Sequence, residues 1–265
     1  MRAGTKHKFN AGRLFYAVIP YLIIVAVIVA WEVFVRVKGV QPIFLPAPSA
    51  ILKYLIIMIT DGEITSDLGV TFLRIMAGFL VAAVSGILVG VAMGMSRLVA
   101  RIVDPWIAAF YPLPKISLIP LLIIWLGTGE SYKIVISAVT AFFPVAIATF
   151  ASIRQVDSGL VKAAKDLGAN TRQIQLKVVI PAALPGIFSG LQLGMGVTII
   201  MVVAAEMIGG SSDSGMGYLL IHAGQVMETE KVFAGLIVLA VFGAFITYTQ
   251  KRIDRLIAPW MDGEH

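Results

Sequence analysis

The sequence predicts an all-α membrane protein with about six transmembrane helices. Apolar residues make up 58% of the 265 residues and charged residues only 14%, whereas soluble domains average about 45–50% and about 25%. Several apolar runs reach the roughly 20 residues that a helix needs to cross the hydrocarbon core. In lipid, such runs must satisfy their own backbone hydrogen bonds, which favours helices. The sequence shows none of the ~10-residue alternating strands that are typical of membrane barrels.

The apolar runs predict six spans, at residues 17–35, 70–95, 105–126, 133–151, 184–208 and 232–250. The first run is longer than the h-region of a signal peptide, and no small-residue cleavage site follows it, so we expect it to remain as a helix. No internal repeat or linker is visible. The sequence therefore predicts a single membrane domain with a tail 1–16, a core 17–250 and a second tail 251–265.

The uneven distribution of lysine and arginine predicts the orientation. With the N-terminus inside, the cytoplasmic segments carry 14 of these residues, the outer segments carry 6, and Lys115 lies within a span, which accounts for all 21. Cytoplasmic loops are enriched in positive charge. Both termini and the loop 152–181, called the coupling loop below, are therefore expected on the cytoplasmic side.

A short apolar segment after the first span predicts a helix at the outer membrane interface. Residues 51–59 are too few to cross the bilayer. Two prolines, Pro46 and Pro48, precede the segment, and Ser49 is expected to cap its N-terminus. We interpret the segment as interfacial, with a re-entrant segment as the alternative.

The coupling loop is polar and basic, and its residues 157–181 predict two short helices joined by a sharp corner. Residues suited to cap or end helices stand at the required places: Asp157 or Ser158 at the first start, Gly168 at the corner, and Asn170 with Gln173 at the second start. Pro181 is then expected to begin the next span. The alternative is a capped surface loop without a partner.

This loop resembles the motif by which permease subunits of bacterial ABC importers engage a separate ATPase. The motif reads Glu-Ala-Ala, three residues, Gly, nine residues, and Ile-any-Leu-Pro, and Lys162 stands at its leading Glu, which reverses that charge. The residues that the resemblance assigns to ATPase coupling are Lys162, Ala163, Ala164, Asp166, Gly168, Ala169 and Pro181. Further segments are similar to the nitrate/sulfonate/taurine/bicarbonate branch of these permeases: 45–49, 120–130, 181–187 and 203–208.

The resemblance implies a type I ABC importer permease fold in a bacterial inner membrane, working by alternating access. The implied partners are a second permease copy in a homodimer, two ATPase subunits, an outer substrate-binding protein and membrane lipid. No P-loop occurs in the sequence, so ATP and Mg would be used by the partner, and this chain is expected to have no catalytic residues and no bound cofactor. With no cysteine and three scattered histidines, no metal site is predicted. Nucleic acid is not expected as a partner despite the net charge of +6.

The transported solute is predicted only as a class. A basic pathway with few carboxylates favours a small anion, which could be nitrate, bicarbonate, a sulfonate such as taurine, or an organic carboxylate. A thiamine-precursor pyrimidine is the alternative substrate. The alternative mechanism is an ion- or proton-coupled secondary carrier, although such carriers need intramembrane carboxylates or inverted halves. An intramembrane enzyme would need a catalytic constellation that the spans do not contain.

Lys115 is the first candidate for the translocation pathway. It lies about midway between Trp106 and Trp125, which are 19 residues apart, or about 28 Å in a straight helix and so near the thickness of the hydrocarbon core. Between the two tryptophans lie Pro112, Pro114 and Pro120, and they predict a broken helix against protein or water. An ionisable residue at that depth suggests a station for an anion, with a hydrated vestibule lysine as the alternative.

The other pathway candidates lie on the fifth span. Gly190 and Gly194 continue a row of small residues that Thr198 ends, and such rows let helices pack closely. They predict either static packing or a surface that lines the pathway. Glu206, near the outer end of this span, is expected to contact the binding protein or close an outer gate, with a hydrated interfacial carboxylate as the alternative.

Overall fold

Every regular element in the described part of the chain, residues 11–209 and 214–258, is a helix in the computed structural model. The helices are α1 Ala11–Lys38, α2 Pro48–Thr60, α3 Glu63–Met95, α4 Arg97–Phe110, α5 Ile119–Leu126, α6 Glu130–Arg154, α7 Ser158–Asp166, α8 Thr171–Ile174, α9 Ile180–Ile208, α10 Met216–Gln225 and α11 Thr229–Ile257. A 3₁₀ turn, Lys115–Leu118, precedes α5, and a π turn, Gln175–Val179, precedes α9. The predicted all-α class is confirmed. Residues 1–10 and 259–265 of the two predicted tails lie outside the described residues.

Five helical segments of the described chain are long and apolar enough to cross a membrane, and a sixth span results if α4 and α5 count as one. These two helices are bent by 86° across a short break. The break that the prolines predict is therefore confirmed, whereas the predicted start at residue 105 is wrong because α4 already begins at Arg97. The 28 Å spacing of the two tryptophans, which assumes a straight helix, does not apply. The break coincides with two prolines, which lack the backbone N–H that a continuous helix needs.

Helices α3, α6 and α9 form the centre of the fold, and glycines set how closely they approach. A Cβ atom on Gly90 of α3 would lie 2.6 Å from the Ala146 carbonyl oxygen of α6, and one on Gly194 of α9 would lie 2.7 Å from Cγ2 of Val145. Small residues at such contacts let helices gain van der Waals packing where lipid provides no hydrophobic drive between them. The three helices are therefore fixed against one another along their length.

Helix α1 lies at the periphery, and most of its surface is exposed. Only 6% of its apolar window is buried. Trp31 contacts Phe233 of α11 with ring centroids 5.7 Å apart. Further along, the Glu32 carboxylate accepts hydrogen bonds from the backbone N–H and the hydroxyl of Ser49, at 3.0 and 2.8 Å. These contacts join α1 to the rest of the molecule at one end.

The prediction that Ser49 caps α2 is wrong. Helix α2 begins at Pro48, its N-cap is Ala47, and that residue makes no side-chain cap. The first N–H groups of a helix need an acceptor from outside the helix, and the acceptor here is Glu32 of α1. Ile51 and Met58 face a buried cluster with Ile64, Leu219 and Ala234. The predicted short helix thus exists, and it packs against the elements that follow it.

Candidate functional site

The coupling loop forms the predicted corner at Gly168. This glycine has a φ of +83°, in the left-handed region. The Ala169 N–H donates to the Ala164 carbonyl at 3.0 Å, and the Gly168 N–H donates to that of Lys165 at 2.9 Å. This pair of hydrogen bonds is a Schellman motif at the C-terminus of α7. The motif favours glycine at its left-handed position because glycine has no Cβ atom. At the start of α7, Asp157 accepts from the Gly159 N–H at 2.8 Å.

The second short helix, α8, begins with the predicted capping box. The Asn170 side chain accepts from the Gln173 N–H, and the Gln173 side chain accepts from the Asn170 N–H, both at 2.9 Å. The chain then continues through the π turn into α9. Pro181 stands in the first turn of α9, directly after the wide hydrogen bonds of the π turn. Since proline has no N–H and crowds the preceding turn, the π turn accommodates it.

The loop presents apolar side chains to solvent. Leu160 is 50% exposed, Leu167 89% and Leu176 53%, and Lys162, Ala163 and Asp166 are also exposed beside them. A polar segment that exposes several leucines together is typical of an interaction surface. All the residues assigned to ATPase coupling lie on this projection except Pro181, which lies at its base. Their role in coupling stays a prediction.

Lys115 lies beside the middle of α6. Its Nζ atom is 4.7 Å from the ring centroid of Phe143 and 5.1 Å from that of Tyr111, and it also donates to the Tyr111 carbonyl. Phe143 is 13 residues from the start of α6 and 11 from its end. Aromatic faces attract an ammonium group at these distances. Lys115 is half-buried, so it is held by the rings yet open to a ligand.

Gly190, Gly194 and Thr198 are buried between helices. A Cβ atom on Gly190 would lie 2.5 Å from Cβ of Ala148 in α6. The Thr198 hydroxyl donates to the Gly194 carbonyl within its own helix at 2.8 Å. The helix face that carries these residues is covered by neighbouring helices, as the static-packing alternative predicts. Their pathway role stays a prediction that this geometry does not favour.

Glu206 is fully buried in an ionic network near the C-terminal end of α9. Arg74 of α3 donates to its Oε1 atom at 2.7 Å, and the Thr71 hydroxyl donates to the same oxygen at 2.9 Å. The Gly217 N–H donates to Oε2 at 2.9 Å. The exposed fractions of the Glu206 and Arg74 side chains are 0% and 2%. A carboxylate so enclosed is available neither to solvent nor to a docked protein, so this geometry does not favour direct contact with a binding protein.

Arg74 and Glu130 are the members of this network that the sequence analysis missed. The guanidinium forms a bidentate pair with the Glu130 carboxylate, with both N···O distances at 2.5 Å, and it also donates to the Ser214 carbonyl at 2.6 Å. The predicted orientation counts Arg74 among the outer charges, although this residue lies inside an apolar run. Its position inside a predicted span is the signal in the sequence that it has a buried ionic partner, because an ionisable residue within a span is rarely without one.

The same network fixes the start of α10. Three successive N–H groups, those of Gly215, Met216 and Gly217, donate to side chains of other helices: Asp67, Thr71 and Glu206 respectively, at 2.9–3.0 Å. The helix dipole also favours a carboxylate at this end. Glu206 thereby serves as both ion-pair partner and helix cap.

The fold and the projecting loop define a class of protein: a helical membrane permease with a polar projection on one side of its core. The chain belongs to the family of binding-protein-dependent transport system inner membrane components, whose model matches residues 82–259. It is a permease subunit of the ABC importer type. This agrees with the predicted resemblance, and the predicted permease class and fold are confirmed.

Two relatives and one solved structure are similar to this chain over most of their length. The putative aliphatic sulfonates transport permease SsuC of Bacillus subtilis is 36% identical over 97% of this chain and 96% of the relative. The taurine transport permease TauC of Escherichia coli is 34% identical over 87% and 85%. Among solved structures, the MetNI methionine ABC transporter superposes with a TM-score of 0.65 at 22% identity, covering 75% of this chain and 97% of that one. The structural likeness concerns the fold alone.

Proposed function

We propose that this chain, as a homodimer, forms the translocation pathway of an ATP-driven importer for a small organic sulfonate. The observation that carries the proposal is Lys115: a cation at the middle of a broken helix pair, held by two aromatic rings and half-buried. A charge at such depth is retained where it meets a partner, water or a passing ion. A sulfonate oxygen is a suitable acceptor for an ammonium N–H.

The relatives narrow the anion class. Two of them carry names that specify sulfonates, taurine for one and aliphatic sulfonates for the other. Sulfonates combine a fixed negative charge with a short apolar or polar tail. Two aromatic side chains, Tyr111 and Phe143, lie beside the charge of Lys115. Their apolar surface suits the tail of a sulfonate better than it suits nitrate or bicarbonate.

The proposed partners fit the exposed surfaces. The coupling loop exposes leucines on one side of the fold, and we assign this surface to a cytosolic ATPase that supplies ATP hydrolysis and Mg. Helix α5 exposes 78% of Ile124 and 67% of Trp125, next to the segment that carries Lys115. We assign this face to the second copy, so that two such segments enclose one pathway. The outer binding protein delivers the solute on the opposite side.

Transport in proteoliposomes tests the proposal. The permease, its ATPase and its binding protein are reconstituted, and uptake of taurine, methanesulfonate, nitrate and bicarbonate is measured with and without ATP inside. We expect ATP-dependent uptake of a sulfonate. Lys115→Ala should raise the half-maximal concentration about tenfold, which corresponds to the loss of one hydrogen bond to a charged group. Lys115→Arg should restore part of the uptake, and Lys115→Glu should abolish it.

A matched control separates a local from a general charge effect. Lys53 is an exposed lysine on α2, and Lys53→Glu should leave sulfonate uptake unchanged. Undiminished uptake by the Lys115→Glu protein would remove Lys115 as an anion station. Uptake that needs an ion gradient but no ATP would support the carrier alternative. Uptake of a pyrimidine in place of every anion would refute the sulfonate assignment.

A further inference from the structure

A groove runs between α3, α9 and α11 at the surface of the helix bundle. It has a volume of about 450 Å³, within the range of about 300–1,000 Å³ that is typical of ligand sites. Its walls are almost entirely apolar and include Phe79, Leu80, Met195 and Phe245. Leu80 and Phe245 are 59% and 64% exposed, so the groove is open toward the surroundings of the spans. An occupant that reaches it from the bilayer needs a long apolar part.

One end of this groove is polar. Gln250 and Asp254, one turn apart on α11, are only 9% and 6% exposed, and both line the groove. Gln192 donates to Oδ2 of Asp254 at 2.9 Å, the one side-chain hydrogen bond of Asp254 within residues 11–209 and 214–258. Oε1 of Gln250 is buried and accepts from no donor in that same part of the chain. Buried acceptors without donors cost free energy, and a carboxylate costs more than an amide.

The length of the groove matches one leaflet. From Phe245 to Asp254 the lining residues of α11 cover nine helical steps, or about 14 Å, roughly half of the ~30 Å hydrocarbon core. The acceptors Gln250 and Asp254 lie toward the end of α11 that also carries the exposed Lys251. The polar end is therefore near the level of lipid head groups, and the apolar walls extend from it toward the middle of the membrane.

We propose that this groove binds a phospholipid whose head group carries an ammonium with N–H donors, as phosphatidylethanolamine does. The ammonium donates to the Asp254 carboxylate and to Oε1 of Gln250, which pairs the buried charge and supplies the donor that Oε1 lacks. The phosphate lies beside Lys251, and one acyl chain fills the apolar groove. A trimethylammonium head group has no N–H donor for Oε1 of Gln250, and a glycerol head group has hydroxyl donors but no cation to pair with Asp254, so neither meets both requirements.

Competition between lipids of equal chain length tests the proposal. The full chain is purified in detergent, incubated with equal amounts of phosphatidylethanolamine, phosphatidylcholine and phosphatidylglycerol, and analysed by native mass spectrometry. Phosphatidylethanolamine should bind in about tenfold preference, as expected for a hydrogen bond to a charged group. Asp254→Asn together with Gln250→Leu should abolish the preference. Asp61→Asn, which removes an exposed carboxylate elsewhere, should leave it intact.

A second variant tests the groove without changing its polar end. Leu80→Trp places a large side chain at the exposed rim and should reduce retention of all three lipids, while the melting temperature stays at the wild-type value. Equal binding of the three lipids by the wild-type chain would overturn the proposal. So would a preference that survives the Asp254/Gln250 double variant, or crosslinking of the groove to α1 of a second copy in place of lipid.

Discussion

Removing the Glu206 carboxylate should strongly destabilise the contacts that join α3, α9 and α10. The side chain accepts hydrogen bonds from Thr71, Arg74 and Gly217, and all of it is buried. Breaking a buried ion pair by removing one partner costs about 3–5 kcal/mol, because the remaining charge is left uncompensated. Arg74 retains Glu130, which places Glu206→Ala at the lower end of this range. Glu206→Gln keeps the shape and should cost about 1.5–3 kcal/mol.

Thermal unfolding in detergent, followed by fluorescence-detected size exclusion, measures this effect. A loss of about 3 kcal/mol corresponds to a decrease in the melting temperature of about 6–12 °C for a chain of this size. The exposed Glu228 provides the matched control, and Glu228→Ala should melt like the wild type. A double-mutant cycle with Arg74→Met should give a coupling energy of about 0.5–3 kcal/mol. If Glu206→Ala melts at the wild-type temperature, the buried ion pair does not stabilise the fold.

Three further predictions concern the loop, the orientation and the helix contacts. Gly168→Val, at a φ of +83°, should cost about 1–2 kcal/mol locally and abolish pull-down of the ATPase without preventing insertion; normal pull-down would contradict it. Cysteines at Lys165 and Asp61 of this cysteine-free chain should react with an impermeant reagent from opposite sides of the membrane, whereas labelling from one side would overturn the orientation. Gly190→Ala should lower stability by about 1–3 kcal/mol through overpacking, whereas Gly196→Ala, with open space at its Cβ position, should be neutral in the same melting assay.

Features that depend on a few neighbouring residues could be predicted from the sequence. The corner at Gly168 and the capping box of Asn170 and Gln173 follow from backbone preferences and hydrogen bonds within five residues. The spans follow from the length of the apolar runs. In each case the physical cause lies inside the segment itself, so no knowledge of the rest of the fold is required.

Features that depend on distant partners could not be predicted. Glu206 and Arg74 are 132 residues apart in sequence, and the apolar neighbours of each give no sign of the other. The cap of α2 comes from Glu32 of α1, 17 residues before Ser49, so the local preference of serine for an N-cap was misleading. Helix α4 was missed at its start because Arg97 and Arg101 lower the hydropathy there, although the helix is strongly amphipathic.

The π turn between α8 and α9 determines the direction in which α8 faces when the two helices are viewed along the axis of α9. The Ile180 N–H donates to the Gln175 carbonyl, five residues back, so the turn holds one residue more than an α-helical turn would. Each residue of an α-helix contributes about 100° of rotation but only about 1.5 Å of length. Deleting one residue here would hardly shorten the connection, yet it would turn the exposed face of α8 toward a different direction. The number of residues in the π turn therefore affects a binding partner mainly through the rotation of α8 about the axis of α9, and only slightly through the length of the connection.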